Sequence, residues 1–266
     1  MKSSILKTVI TGIFLTSASI SALAHDDDNR SNGCASLPSY SALKAALTSA
    51  VAAESSGLNL QMWATIVDRD GIVCAVAFSG TDRGAQWPGS RVISAQKANT
   101  ANAFSLDGLA LSTANLYSAA QGTSGATPLG GSLYGLQFSN PVDTEAAYGG
   151  GVTKYGTSKD GMVGKRVGGV NVFGGGLGLY NSSKKIVGGV GVSGDTSCAD
   201  HNIGWRVRNN LGLDNLQGVG GVAGDPTRPD NMILDGINGN NNGITDGFEQ
   251  PNCLNTASPT TLPVVK

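Results

Sequence analysis

His201 is one of only two histidines in the chain, and it falls four residues before Trp205. On a helix that spacing places both rings on one face. Imidazole is a common ligand for haem iron and for zinc, so the His201–Trp205 pair is a first candidate for binding chemistry, set against an ordinary polar residue in a helix first turn. A second group is cationic. Arg83, Arg91 and Lys97 surround Trp87, and cations beside an indole suit a carboxylate or a porphyrin propionate. Cations scattered over a loop and a helix surface are the plainer alternative. A third group follows the pattern of a calcium loop. Asn238, Asn240, Asn242, Asp246 and Glu249 occupy its first, third, fifth, ninth and twelfth positions, with Gly243 at the sixth. Asn replaces the usual Asp at the first position and no helical pattern flanks the loop, so the choice lies between a low-affinity calcium site and an Asn/Gly-rich turn.

Other chemistries find little support. Gly174-Gly175-Gly176-Leu177-Gly178 contains G-x-G, but no Rossmann spacing opens a helix after it, and no Walker A pattern occurs. Ser193 sits in Gly191-Val192-Ser193-Gly194, which lacks the spacing of a nucleophile elbow. No C-x-x-C pair occurs, which argues against a zinc or thioredoxin-like site. The formal charge of −1 excludes a general nucleic-acid or anionic-membrane binder, which needs a basic excess.

These residues need a frame. Ser39 or Ser41 caps a helix predicted to run to about Ser55, with Leu43, Ala46, Leu47, Ala50 and Val51 as its apolar stripe. Leu60–Val67 and Ile72–Phe78 flank Asp68-Arg69-Asp70-Gly71 and read as a β-hairpin. Both runs are apolar on both faces, so the hairpin is expected at the centre of a sheet covered on each side. Ser90–Phe104 is predicted helical, and a second short helix is predicted over Leu109–Ala120. Gly, Ser and Thr dominate 121–169, which reads as a long insertion, mostly loop, with one strand near Leu133–Phe138. Gly169–Tyr180 and Lys185–Val192 form a second hairpin heavy in glycine. Glycine weakens a strand unless backbone must come close to something. Ser197-Cys198-Ala199-Asp200 has a capping-box pattern and opens a helix predicted to reach Leu211. Residues 213–266 return to loop composition. The sum is an α+β fold, a central antiparallel sheet of about five strands flanked by helices.

The N-terminus predicts export. Lys2 and Lys7, an apolar run from Val9 through Ile20, and Ala22-Leu23-Ala24 make a signal peptide over 1–24. Cleavage removes two lysines, shifts the formal charge from −1 to −3 and leaves no membrane span. An acidic, disordered linker is expected over 25–36. Periplasmic or secreted location makes disulfides the default for Cys34, Cys74, Cys198 and Cys253, with three possible pairings. Cys198–Cys253 is the pairing expected to tie down the tail, which carries few apolar residues of its own. Cys74, in an apolar strand, is either bridged or a buried thiol.

Three segments together resemble the GlcG/HbpS-like haem-binding family, over about Leu37–Gly212. They are the hairpin Trp63-Ala-Thr-Ile-Val-Asp68-Arg-Asp-Gly71-Ile-Val-Cys-Ala-Val-Ala, the helical Ser94-Ala95-Gln96-Lys97-Ala98, and Gly174-Gly175-Gly176-Leu177-Gly178-Leu179 followed by Val187–Gly194. The resemblance implies an antiparallel sheet flanked by helices, a homo-oligomer, and haem binding in sensing or haem handling. Other members of that family belong to glycolate or diol metabolism. Lys97 and the Gly191–Gly194 turn are the positions that match. Gly178 stands where the family usually has proline, and the 121–169 insertion and the Cys253 tail also depart. The expectation is an exported haem-binding protein without catalysis of its own. The alternatives are an enzyme or binding protein for a small hydroxy or carboxylic acid, and a structural, self-assembling protein.

Overall fold

The two runs around Asp68-Arg69-Asp70-Gly71 fold back on each other as strands β1 (Trp63–Asp68) and β2 (Val73–Phe78). The turn is built by its own residues. Gly71 takes φ of +77°, and Asp68 Oδ1 accepts from the N–H groups of Asp70 and Ile72 at 3.0 and 2.9 Å. This computed structural model describes residues 33–121, 131–241 and 247–266. The expected signal peptide and most of the acidic linker lie outside the described residues.

The remaining elements are helix α1 (Tyr40–Ala52), α2 (Ser90–Phe104), the short helices α3 (Tyr117–Ala120), α4 (Leu136–Ser139) and α5 (Thr144–Tyr148), strands β3 (Gly176–Tyr180) and β4 (Ile186–Ser193), helix α6 (Ser197–Asn210), and the two-residue strands β5 (Ile233–Leu234) and β6 (Glu249–Gln250). The α+β class holds. One antiparallel sheet has four strands in the order β2-β1-β4-β3, and β5 and β6 pair in parallel apart from it. β1 is central and buried along its whole length. Alternation of side chains splits the strands between two cores. Ala64, Ile66, Ala75, Ala77, Leu177, Leu179, Val190 and Val192 face α1 and α6. Trp63, Val67, Val73, Val76 and Phe78 face α2.

Glycine in the second hairpin serves close approach. α2 lies directly on β4, so a Cβ on Gly191 would collide with the Ser94 carbonyl oxygen, and one on Gly189 with that of Ala98. Both obstacles are helix backbone, which has no rotamer to yield. Gly191→Ala is therefore expected to cost at least ~1–3 kcal/mol, the range for overpacking a tight interior, measured by urea denaturation. A loss below ~0.5 kcal/mol would show that α2 is free to lift.

The 121–169 insertion is less of an excursion than its composition predicts. No strand forms over Leu133–Phe138; the chain turns at Gly131 and at Gly135, which takes φ of +89°, and then enters α4. Farther on, Ala146, Ala147, Met162 and Val167 roof the α2 side of the sheet. The predicted 109–120 helix starts only at Thr113, as a 3-10 turn leading into α3.

Both cystine pairs are defined. Cys34 joins Cys74, with Cα atoms 5.3 Å apart, and Cys198 joins Cys253, at 6.0 Å. The tail has more apolar anchors than its composition predicts. Leu216, Val219, Met232, Leu234, Leu262 and Val265 are buried, and Trp205 Nε1 donates to Pro263 O at 2.9 Å.

Candidate functional site

The β4–α6 turn and the start of α2 meet at one end of the sheet. Asp195 fixes the turn. Its carboxylate accepts from the N–H groups of Leu58 and Leu60, both at 2.9 Å, and of Thr196 at 2.6 Å. Thr196, not Ser197, caps α6 by accepting from Ala199 N–H. Asp200 is thereby released from the predicted capping box. Its Oδ1 accepts from Asp195 N–H at 2.9 Å, and its Oδ2 meets Lys97 Nζ at 2.6 Å. Lys97 also donates to Val192 O at 3.2 Å.

Ser90, Ile93 and Lys97 follow one face of α2. With Gly89, Trp87, Phe173, Ser193, Asp195, Ser197 and Asp200 they line a cleft of about 270 Å3. Its rim carries two aromatic rings open to solvent, Trp87 at 50% and Phe173 at 44% exposure. Its floor is the Lys97–Asp200 ion pair, 2% and 3% exposed. α2 begins there at Gly89, with no side-chain cap on its first turn. Burial pushes the Asp200 carboxyl up to about 6, against the opposing pull of Lys97 and of the Asp195 N–H.

The structure thus brings Trp87 and Lys97 together and places the other candidates elsewhere. Arg91 is buried against Asp160. Its Nε donates to Oδ2 at 2.9 Å, its Nη2 pairs with Oδ1, its Nη1 donates to Ala147 O at 2.8 Å, and its guanidinium lies 3.6 Å from the Tyr155 ring centre. Arg83 stacks on the same ring at 5.4 Å. Both cations serve the insertion rather than the cleft.

His201 and Trp205 do share a face, 6.0 Å between ring centres, but both are buried in the body of the protein and neither lines the cleft. His201 Nε2 accepts from Met232 N–H at 3.1 Å, and Nδ1 has no partner. Burial drives this imidazole down to about 4, so it is neutral in the fold. A pKa below the unfolded value of 6.5 stabilises the fold above that pH, and the stability is lost as pH falls toward 4. Asp200, shifted upward, works in the opposite direction between about 4 and 6. His201→Asn removes the histidine contribution alone. Its stability deficit against the wild type is expected to shrink by ~2–3 kcal/mol between pH 7 and 4.5, followed by thermal melts at both values. A deficit independent of pH would mean that the ring takes up its proton normally in the fold.

The expected calcium loop of Asn238, Asn240, Asn242, Asp246 and Glu249 finds no support, and only part of it lies within the described residues. Asn238 Oδ1 accepts from Leu234 N–H and its Nδ2 donates to Met232 O, both at 2.9 Å, while Glu249 Oε1 accepts from Asn240 N–H at 2.9 Å. The Asn238 amide and Glu249 Oε1 are thus engaged by nearby backbone, whereas Glu249 Oε2 is buried without a hydrogen-bond partner. Asn242 and Asp246 lie outside the described residues. Sequence reasoning missed Phe173, Asp195 and Asp200. The one available signal was that Ser193 belongs to the same Gly191–Gly194 turn that the family resemblance had picked out with Lys97.

The site is an aromatic-rimmed cleft over a buried ion pair, set in an α+β domain with a helix-covered antiparallel sheet. The family model described as Haem degrading protein HbpS-like matches residues 40–206, and the chain belongs to that family. Among solved structures, Klebsiella pneumoniae protein ORFY is similar at 24% identity, over 64% of this chain and 88% of that one, with a TM-score of 0.41. A complex of PduOC with haem is similar at 21% identity, over 66% and 95%, with a TM-score of 0.43. HbpS is similar at 16% identity, over 66% and 90%, with a TM-score of 0.36. Comparison with curated proteins gives no match.

Proposed function

We propose that this is an exported haem-binding protein that holds the porphyrin in the cleft between Trp87 and Phe173, without catalysis of its own. The observation that carries the reading is the pairing of two solvent-open aromatic rings with a buried Lys97 below them. Flat apolar walls suit a macrocycle, and a cation at the floor suits a propionate. Family membership points to the same ligand.

The fit is to the ring and its carboxylates. Among the described residues, the cleft walls offer no His, Cys, Met or Tyr side chain to haem iron. At about 270 Å3 the cleft lies at the lower edge of the ~300–1,000 Å3 usual for small-molecule sites, so it grips one edge of a porphyrin. Bound haem would bring redox-active iron, and the protein's contribution is to stack the ring, anchor a propionate and screen one edge from water. Export is supported by the leader-like N-terminus and the two disulfides. Self-association into a homo-oligomer is part of the same reading, and exposed Tyr134 and Phe138 support it.

Haemin titrated into the purified protein is expected to give a stoichiometric Soret band and to quench the fluorescence of Trp87, the one tryptophan open to solvent. No spectral change at micromolar haemin would overturn the binding. Bleaching of the complex under an added reductant and oxygen, faster than that of free haemin, would overturn the claim of no catalysis.

A further inference from the structure

The cleft floor holds a cation whose charge is already cancelled. Lys97 and Asp200 face the same cavity, are almost wholly buried and bind each other at 2.6 Å. A ligand carboxylate reaching Lys97 in this arrangement meets a second carboxylate competing for the same ammonium, and two carboxylates on one buried cation repel. Asp195, the other acid lining the cleft, does not compete, because its oxygens are engaged by the backbone N–H groups of Leu58, Leu60 and Thr196. The remaining charged groups nearby are committed elsewhere. On α2, Arg91 pairs with Asp160; on α6, Arg208 pairs with Asp230, and His201 is bound to the Met232 N–H. Relief therefore has to come from Asp200.

Resting on the reading of this cleft as the ligand site, we propose that its floor is a proton-coupled carboxylate site. The ligand carboxylate takes the Lys97 ammonium from Asp200, and Asp200 takes one proton from solvent in exchange. Charge balances: an anion and a proton enter, and the Lys97–Asp200 ion pair becomes a Lys97–ligand ion pair beside a neutral carboxylic acid. Three features favour the exchange. Lys97 also donates to Val192 O at 3.2 Å, a bond that the exchange does not need to break. α2 begins at the cleft, where Gly89 and Ser90 line the wall, so its macrodipole adds positive potential there. Finally, the Asp200 carboxyl, raised to about 6 by burial, accepts a proton at modest cost near neutrality. The ligand class is an aromatic or other flat carboxylate, a porphyrin propionate included.

The test is isothermal titration of the purified protein with benzoate, which is ionised throughout the range, and with benzyl alcohol as its uncharged counterpart. If binding requires protonated Asp200, with its carboxyl near 6, benzoate binds about 25-fold tighter at pH 5.5 than at pH 7.5. At pH 7.5, repeating the titration in buffers of different ionisation heat is expected to show close to one proton taken up per benzoate. Benzyl alcohol is expected to bind equally at both pH values with no proton uptake. Asp200→Asn keeps an acceptor for the Asp195 N–H and is expected to bind benzoate tightly and equally at both pH values. If that variant does not fold, the wild-type proton count decides alone. Benzoate affinity independent of pH, or no proton uptake, overturns the proposal; with a normal haemin titration it leaves the cleft reading standing. Loss of haemin, benzoate and benzyl alcohol binding together overturns both.

Discussion

Asp230→Ala is expected to destabilise the protein by ~3–5 kcal/mol, the cost of stranding a buried charge. Arg208 Nη1 and Nη2 meet Asp230 Oδ2 and Oδ1 at 2.6 and 2.9 Å, and both side chains are 0% exposed. Nη1 also donates to Gly178 O at 3.2 Å, and the guanidinium lies 4.5 Å from the Trp205 ring centre. Without Asp230, water cannot reach the cation, and Arg208 Nε already lacks a partner. The pair joins α6 to the tail. Replacing both residues together, as Arg208→Met with Asp230→Leu, is expected to recover most of the loss, because apolar groups of similar size carry no desolvation penalty. Guanidinium denaturation of the three variants reads both effects. A single-variant loss under ~1 kcal/mol would mean that solvent enters this site.

Removing the second cystine, as Cys198→Ala with Cys253→Ala, is expected to cost about 4 kcal/mol, from a sequence separation of 55 and the chain-entropy relation. The bridge pins the tail to the first turn of α6. Loss of the bridge frees the stretch that carries Met232 and its N–H bond to His201, so early cleavage within 213–266 is expected on limited proteolysis, with the sheet still protected. Cys34–Cys74 closes a comparable loop of separation 40 but fastens only the segment before α1 to β2. A second-cystine variant as resistant to protease as the wild type would show that the buried apolar residues of the tail hold it unaided.

What the sequence reveals and what it hides follow one physical division. Local patterns are legible: the Asp-Gly hairpin, both-face burial of β1, and α2 from Ser90 to Phe104. Glycine in β4 correctly signals close backbone approach, though not that the approaching element is α2. Charged residues are the opposite case, because the partner that decides their role is distant in the chain. Arg91 has the composition of a ligand-binding cation, but Asp160, 69 residues away, neutralises it inside the insertion. Lys97 finds Asp200 across 103 residues, and only that contact reveals a cleft floor. His201 has the chemistry of an iron ligand, yet Met232 N–H, 31 residues on, holds it in the interior. Composition also understates the tail, whose few apolar residues are the ones that dock.

The claim that the aromatic-rimmed cleft is the haem site is tested most directly by haemin titration of three proteins side by side. They are the wild type, Trp87→Ala with Phe173→Ala, and His201→Ala, each followed at the Soret band. Both aromatic rings are on the surface, so their removal spares the fold. The double cleft variant is expected to bind haemin at least about tenfold more weakly, from the loss of two ring contacts. His201→Ala, though less stable, is expected to keep the wild-type band position and stoichiometry while it remains folded. Wild-type affinity in the cleft variant, or a Soret band lost only from folded His201→Ala, would contradict the account.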